Sequence, residues 1–318
     1  MLITLEAVES HFPDRTVTID DRAAELGLTP EQTHMFRRHF GLDRMRYDPS
    51  VDLVEQLVSA AERALEGTPR AAVRHLLLGH ALHGAGHLPP DILQLLARRL
   101  GLEHATAFAL TQQNCAVSMS AVDVAGALLQ TEPDPSARAL VLVGDKPRTR
   151  AAQLIMNTCI VADGTAAALV AWDGPGVPVR SFATRTLGQF SDGMLSTPET
   201  FRAAAEMRPR VLAEVMEEAA RRAGHTLADI QWFIPSNPNV VFWKDAVPDE
   251  ELRSRFFLGN IPRYSHCLAA DVLANYATLR EEKQLEPDRP VMFVAIGVGM
   301  TFSAMVVTPR SEHGAVSR

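Results

Sequence analysis

The feature that most restricts how this chain can fold is an internal duplication. In the first half, a helical pattern over residues 52–65 leads through AAVRHLLLGH into a loop. In the second, a helical pattern over residues 211–223 leads through ADIQWFIPSN into a loop at the same point. Next, Asn114-Cys115-Ala116-Val117-Ser118 and the small-residue helix behind it lead to EPDPSARALVLVGD. Their counterpart is Ser265-His266-Cys267-Leu268-Ala269 and its helix, leading to EPDRPVMFVAIG. Finally, GTAAALVAW corresponds to GMTFSAMVV. Identity between the halves is low, but the units keep their order and no Gly-, Ser- or Pro-rich linker separates them. The expectation is two tightly packed, pseudo-equivalent units, residues 1–173 and 174–318.

Within each half, helical periodicity alternates with short apolar runs. Residues 1–8 alternate as a strand does, and residues 73–80, 105–110, 139–144 and 164–172 read as further strands. Helical spacing occupies 30–40, 52–65, 90–100 and 115–130. This alternation predicts an α/β protein built on a largely central sheet.

Composition bounds the function. A hydrophobic content of 47% over 318 residues allows a large core, and a net charge of −7 leaves no basic excess to neutralise nucleic-acid phosphates. The three cysteines, Cys115, Cys159 and Cys267, are odd in number, widely spaced and without a CxxC pair. That fits a reducing cytoplasm and argues against a zinc site or a disulfide framework. The N-terminal MLITLEAVESHFPDR does not read as a signal peptide. No segment approaches the ~20 apolar residues of a membrane span. A cytoplasmic protein without membrane or nucleic-acid partners is expected.

The stretch richest in chemistry is TQQNCAVSMS, residues 111–120. A thiol at the first turn of a helix meets the positive end of the macrodipole and free backbone N–H groups, both of which favour thiolate. A buried structural cysteine is the competing reading. The duplication aligns Cys115 with His266, each opening the central helix of its half. A pseudo-twofold would aim both at one cleft, giving a thiolate nucleophile beside a base. Asp271, five residues on, could orient the imidazole or hold its proton. The competing reading makes His266 a cap-region histidine and Asp271 a solvated helix residue.

Other residues carry weaker signals. His80, His83 and His87 have metal-ligand spacing, but two intervening glycines argue against a shared helical face, so no metal site is expected there. Arg44 and Arg46, with Lys146 and Arg148, could meet a phosphate or lie as solvated surface charge. Gly297 and Gly299 suit a close backbone approach to the cysteine, one N–H completing an oxyanion hole with that of Cys115. Trp243 reads as core or tunnel lining, and Cys159 and Cys267 as buried and inert. Met119, Leu154 and Met194 are candidates for setting pocket width.

Taken in order, the Cys115 stretch, VLVGDKPRT (141–149), VADGTAAALV (161–170), FIPSNPN (233–239), the His266 helix and AIGVGMTFSAMVV resemble the ketoacyl-ACP synthase III family of the thiolase superfamily over essentially the whole chain. The resemblance implies a five-layered αβαβα fold and a homodimer. It also implies an acyl group received by Cys115 from the thioester of coenzyme A or of an acyl carrier protein's phosphopantetheine, with no permanently bound cofactor. It favours the Arg44/Arg46 stretch, with Arg148, for contacts to that donor.

Two departures from the family pattern qualify this. Ketosynthases of this type carry Pro-His-Gln-Ala-Asn where this chain has Pro235-Ser236-Asn237-Pro238-Asn239. Their catalytic asparagine, preceded by Gly, falls by spacing on His266. A rival alignment uses Gly259-Asn260, six residues earlier. Decarboxylating a malonyl thioester builds an enolate that the His–Asn pair stabilises, and losing one such donor typically costs ~10²–10³ in rate. The His266–Asp271 spacing instead resembles an antibiotic-pathway acyltransferase branch in which an aspartate in the second helix replaces the asparagine. The expectation is therefore an acyltransferase that hands an acyl group from Cys115 to a small hydroxyl or amine acceptor of secondary metabolism. His266, supported by Asp271, is the base; Ser236, Asn237, Asn239, Asn260 and Gly299 position substrate. A decarboxylating ketosynthase and a non-catalytic thiolase-fold partner subunit are the rivals.

Overall fold

The computed structural model describes residues 2–82 and 89–310. Its main sheet has nine strands among the described residues. In chain order they are β1 (Ile3–His11), β2 (Val73–Gly79), β3 (Thr106–Leu110), β4 (Arg138–Gly144), β5 (Thr165–Trp172), β6 (Val177–Thr186), β7 (Phe233–Pro235), β8 (Val291–Gly297) and β9 (Thr301–Val307). The spatial order is β7-β8-β9-β6-β1-β5-β4-β2-β3.

That order reads the same from either side of the β6–β1 seam. In the first half β2 is parallel to β4, β4 antiparallel to β5, and β5 antiparallel to β1. In the second, β7 is parallel to β8, β8 antiparallel to β9, and β9 antiparallel to β6. The halves meet where Thr4 and Leu5 pair with Pro178 and Val177. Only β3, beside β2, lacks a partner in the second half among the described residues. The fold is thus a mixed α/β architecture with two pseudo-symmetric halves, as the duplication implies.

Four helices complete the layers: α1 (Leu53–Ala64), α2 (Val117–Gln130), α3 (Pro198–Arg222) and α4 (Asp271–Glu281). α1 covers the outer face of the first half and α3 that of the second, while α2 and α4 lie between the two halves of the sheet. The sequence accounts for these places. α1 starts at Asp52, whose side chain accepts from the Glu55 N–H, and buries the apolar face Leu53, Leu57, Ala60, Ala61 and Ala64. α4 is buried at every position from Asp271 to Leu279 and so presents no face to solvent along that stretch, having protein on all sides. α2 is built from small residues, and Gly126 lets it touch β1: a Cβ there would lie 2.2 Å from Ile3 Cδ1.

β4 shows why such strands read as continuous apolar runs. Ala139, Val141 and Val143 face the central cluster, and Leu140 and Leu142 face the outer cluster under α1. The sequence misplaces one long element. The helical pattern at 211–223 is only the latter part of α3, which begins at Pro198 and runs through Pro209. Proline lacks an N–H and reads as a helix stop, which hides the preceding turns.

Candidate active site

The cysteine and the histidine do meet, though by a different register from the one expected. Cys115 lies in a short 3-10 turn, Asn114–Ala116, just before α2. His266 lies three residues further from its own helix than Cys115 does. It sits on an extended segment bridged to Val161, ahead of the turn Leu268–Ala270 and α4. Asn114 and Leu268 both adopt left-handed backbone, with φ of 51° and 53°, and mark equivalent points. The pseudo-equivalent of Cys115 is therefore Ala269, and the expectation that His266 opens a helix opposite Cys115 is corrected.

Cys115 Sγ lies 3.4 Å from His266 Nε2. On its other side the imidazole makes a hydrogen bond from Nδ1 to Asp271 Oδ2. Asp271 is the first residue of α4, and its carboxylate also accepts from the backbone N–H of Asn237 at 2.6 Å and of Cys267 at 2.7 Å. All three side chains are buried, Cys115 the least so at 6% exposure. Burial by itself would lower the His266 pKa. The Asp271 carboxylate, hydrogen-bonded to the ring, opposes this, and the pKa is held well above 6.5. Cys159 is also near, but burial pushes its thiol up to about 12, so it is neutral at physiological pH and supplies no charge. Burial likewise raises the Cys267 thiol well above its ordinary value. Both fit the reading of inert cysteines.

The loop after β7 holds this relay in place. Asn237 and Asn275 exchange side-chain hydrogen bonds at 2.8 and 3.2 Å, and Asn275 also donates to the Pro235 carbonyl at 2.7 Å. Asn260, fully buried, donates to Asn275 at 2.9 Å and to Thr278 at 2.8 Å. The amides of Asn237 and Asn260 are thus engaged within the fold. Asn237 bonds Asp271 through its backbone N–H, and its amide meets Asn275, while Asn260 packs behind α4. Asn275 itself was missed by sequence reasoning. Its signal is the four-residue spacing from Asp271, which puts both on one face of α4. Ser236 is buried at the end of β7, its N–H donating to Val294 and its carbonyl accepting from Trp243 Nε1. Trp243 is core.

A cavity of about 450 Å³ adjoins the cysteine loop. Its wall includes Gly297, Val298 and Gly299, and this turn is tied to the loop: the Asn114 amide donates to the Val298 carbonyl. Gly297 is required there, because a Cβ would lie 2.0 Å from the Gln113 carbonyl oxygen. Asn239 lines the cavity with its amide engaged at both ends, accepting from the Phe242 N–H and donating to the Thr158 carbonyl. Met119, Leu154 and Met194 are not among the lining residues; Met156, Phe190 and Phe242 are.

The basic candidates divide. Arg46 donates to the carbonyls of Pro13 and Asp14, and Lys146 to Asp163 and the Asp48 carbonyl, so both are engaged within the fold. Arg44 and Arg148 are exposed. The cations that do line the cavity, Arg202 and Arg208, were missed, because Pro209 conceals that their segment is helical. His83 and His87 fall outside the described residues. Among the described residues no three His, Cys, Asp or Glu side chains are grouped to hold a metal, and no helix is long and apolar enough to cross a membrane.

A thiol, an imidazole and a carboxylate in one buried line can make and protonate a sulfur nucleophile. Two sheet halves enclosing two buried helices, with the cysteine before one and the histidine before the other, define the thiolase-superfamily fold. Within it the chain has the ketoacyl-ACP synthase III-like form. The 3-oxoacyl-[acyl-carrier-protein (ACP)] synthase III C-terminal family model matches residues 220–308. The beta-ketoacyl-[acyl-carrier-protein] synthase III of Rubrobacter xylanophilus is 25% identical over 260 residues, covering 78% of this chain and 80% of that protein. The structure of ChlB3, described as an acyltransferase, is similar with a TM-score of 0.85 at 19% identity, over 99% of this chain and 100% of that one. The 3-oxoacyl-[acyl-carrier-protein] synthase III of Aquifex aeolicus VF5 gives a TM-score of 0.78 at 17% identity, over 96% and 99%.

Proposed function

We propose that this chain is a thioester-dependent acyltransferase working through an acyl-Cys115 intermediate. The observation that carries the reading is the buried Cys115–His266–Asp271 relay, together with serine rather than histidine at position 236. His266 takes the thiol proton, and the Cys115 thiolate attacks the carbonyl of an acyl-coenzyme A or acyl carrier protein thioester. The N–H of Cys115 and one from the turn at 297–300 stabilise the tetrahedral oxyanion. Collapse forms acyl-Cys115 and releases the donor thiol, protonated by His266. A hydroxyl or amine acceptor then loses its proton to His266 and attacks the acyl carbonyl, expelling the Cys115 thiolate. Asp271 holds the imidazole in the tautomer this needs. Ser236 and Asn239 position substrate, Gly299 shapes the turn, and the exposed Arg148 and Arg44, the latter beside Asp43 at 3.6 Å, meet donor phosphates. The chain acts in the cytoplasm as a homodimer.

A second reading, decarboxylative condensation, is favoured by the names of the relatives. The Rubrobacter and Aquifex proteins are both ketoacyl synthases III, and on names alone this reading is the better supported. Against it stands the need for two hydrogen-bond donors at the enolate of a malonyl unit, where this chain offers Ser236 and one histidine already engaged with Cys115. The experiment that separates the two is to load the enzyme with an acyl group and add carboxyl-labelled malonyl thioester. Acyl transfer predicts no labelled carbon dioxide above a Cys115→Ala control, and transfer of the acyl group to alcohols or amines. Labelled carbon dioxide with a β-ketoacyl product would establish condensation instead.

A further inference from the structure

The cavity beside the cysteine loop is lined mainly by apolar side chains, including Phe40, Phe190, Phe201, Val241, Phe242 and Ile296, and two cations, Arg202 and Arg208, are set into its helical wall. Residues 201, 204, 205 and 208 of α3 fall at i, i+3, i+4 and i+7, so Arg208 lies on the face turned to the cavity. Other arginines of α3 are engaged: Arg202 with Glu199, Arg210 with Glu214, Arg222 with Glu218. Arg208 makes no hydrogen bond or ion pair within 4 Å among the described residues. Its guanidinium lies 4.5 Å over the Phe242 ring. Stacking satisfies the face of the guanidinium but leaves its N–H edge, five donors in a fixed fork, without acceptors. The group is partly desolvated, and its burial lowers its pKa, Asp245 on the same wall opposing this only from beyond ion-pair distance. A guanidinium remains charged even so. A half-buried cation with a free donor edge, in a chamber lined mainly by apolar side chains and with Asp245 out of contact, is placed to take its counter-ion from a bound substrate.

We propose that Arg208 is the anion-binding residue of the cavity and pairs with an anionic group of the thioester donor. The group is either the phosphate of its phosphopantetheine arm or a carboxylate on its acyl chain; both present oxygens that the fork can hold bidentately. The inference rests on the thioester-donor reading, and its test is arranged so that the two can fail separately.

Binding is measured by calorimetry in Cys115→Ala, which cannot be acylated, with and without Arg208→Gln or Arg208→Lys. Four donors are compared: a coenzyme A ester and a phosphate-free N-acetylcysteamine ester, each with a neutral acyl chain and with a chain of equal length ending in carboxylate. Removal of a charge-assisted pair predicts a loss of affinity of about tenfold or more in Arg208→Gln, with Arg208→Lys losing less. Loss on both coenzyme A esters, with the neutral phosphate-free ester unchanged, assigns the phosphate. Loss on both carboxylated esters, whatever the carrier, assigns the carboxylate. Equal affinities with and without Arg208, an equal loss on all four including the neutral phosphate-free ester, or no binding of any donor would each overturn the proposal. Failure of the wild-type enzyme to become acylated by donors it binds would instead overturn the acyltransferase reading.

Discussion

The Asp271 carboxylate accepts from the His266 ring and from two backbone N–H groups. Three donors fix both oxygens, so the imidazole is held by a group that cannot itself turn. Replacing it by asparagine sets an NH₂ against one of those donors. Asp271→Asn is expected to slow acylation of Cys115 by roughly 10²–10⁴-fold and to destabilise the fold by about 3 kcal/mol. Single-turnover mass spectrometry and denaturant melts read the two effects. His266 gives a pH signature of definite sign. Its folded pKa lies above the 6.5 of an unperturbed histidine, so the folded chain keeps a proton that the unfolded chain has released. The stabilisation is fully present below about pH 6.5 and is lost as pH rises through the folded value. Melting temperatures from pH 6 upward should therefore fall more steeply for wild type than for His266→Gln; an equal or shallower wild-type slope would contradict the assignment. Cys115, His266 and Asp271 were legible in the sequence because their types and spacing carry the chemistry directly. Asn275 and Arg208 were not, since an asparagine or an arginine takes its meaning from what the fold places beside it.

At the scale of elements, the cysteine turn is held by the turn after β8. Gly297→Ala would drive a methyl into the Gln113 carbonyl, and either β8 or the 3-10 turn must shift. A loss of about 1–3 kcal/mol is expected from overpacking of this kind, with acylation slowed at least tenfold. Gly188→Ala, where a Cβ meets nothing within 4 Å and the backbone is ordinary, should change neither. Thermal melts and acylation rates of the two variants make the comparison. The strands were legible because sheets buried on both faces leave uninterrupted apolar runs, as in β4 and β8. The first turns of α3 were not, because Pro209 breaks the local pattern while tertiary packing carries the helix through it. The pairing of Cys115 with His266 was right in space and three residues out in register. Sequence spacing cannot reveal that the equivalent backbone turns are marked by Asn114 and Leu268.

At the scale of the molecule, one hydrophobic cluster runs through both halves. It joins Leu5, Val117 and Val141 to Val215, Phe233, Leu273 and Val294. We therefore propose that residues 1–173 and 174–318, though pseudo-equivalent, do not fold apart. Calorimetry is expected to show a single transition whose van't Hoff and calorimetric enthalpies agree, and each half expressed alone should lack cooperative melting; two separate transitions would count against this. The duplication made the architecture readable because it constrained the strand order twice over. The central claim concerns the chemistry at the seam between the halves. The most direct measurement is the intact mass of the wild-type protein after exposure to a panel of acyl-coenzyme A and acyl carrier protein thioesters, beside Cys115→Ala and His266→Ala. The account predicts a gain of one acyl group in wild type, none in Cys115→Ala, and slow gain in His266→Ala. An acyl adduct that persists in Cys115→Ala, or no adduct with any donor, would contradict it.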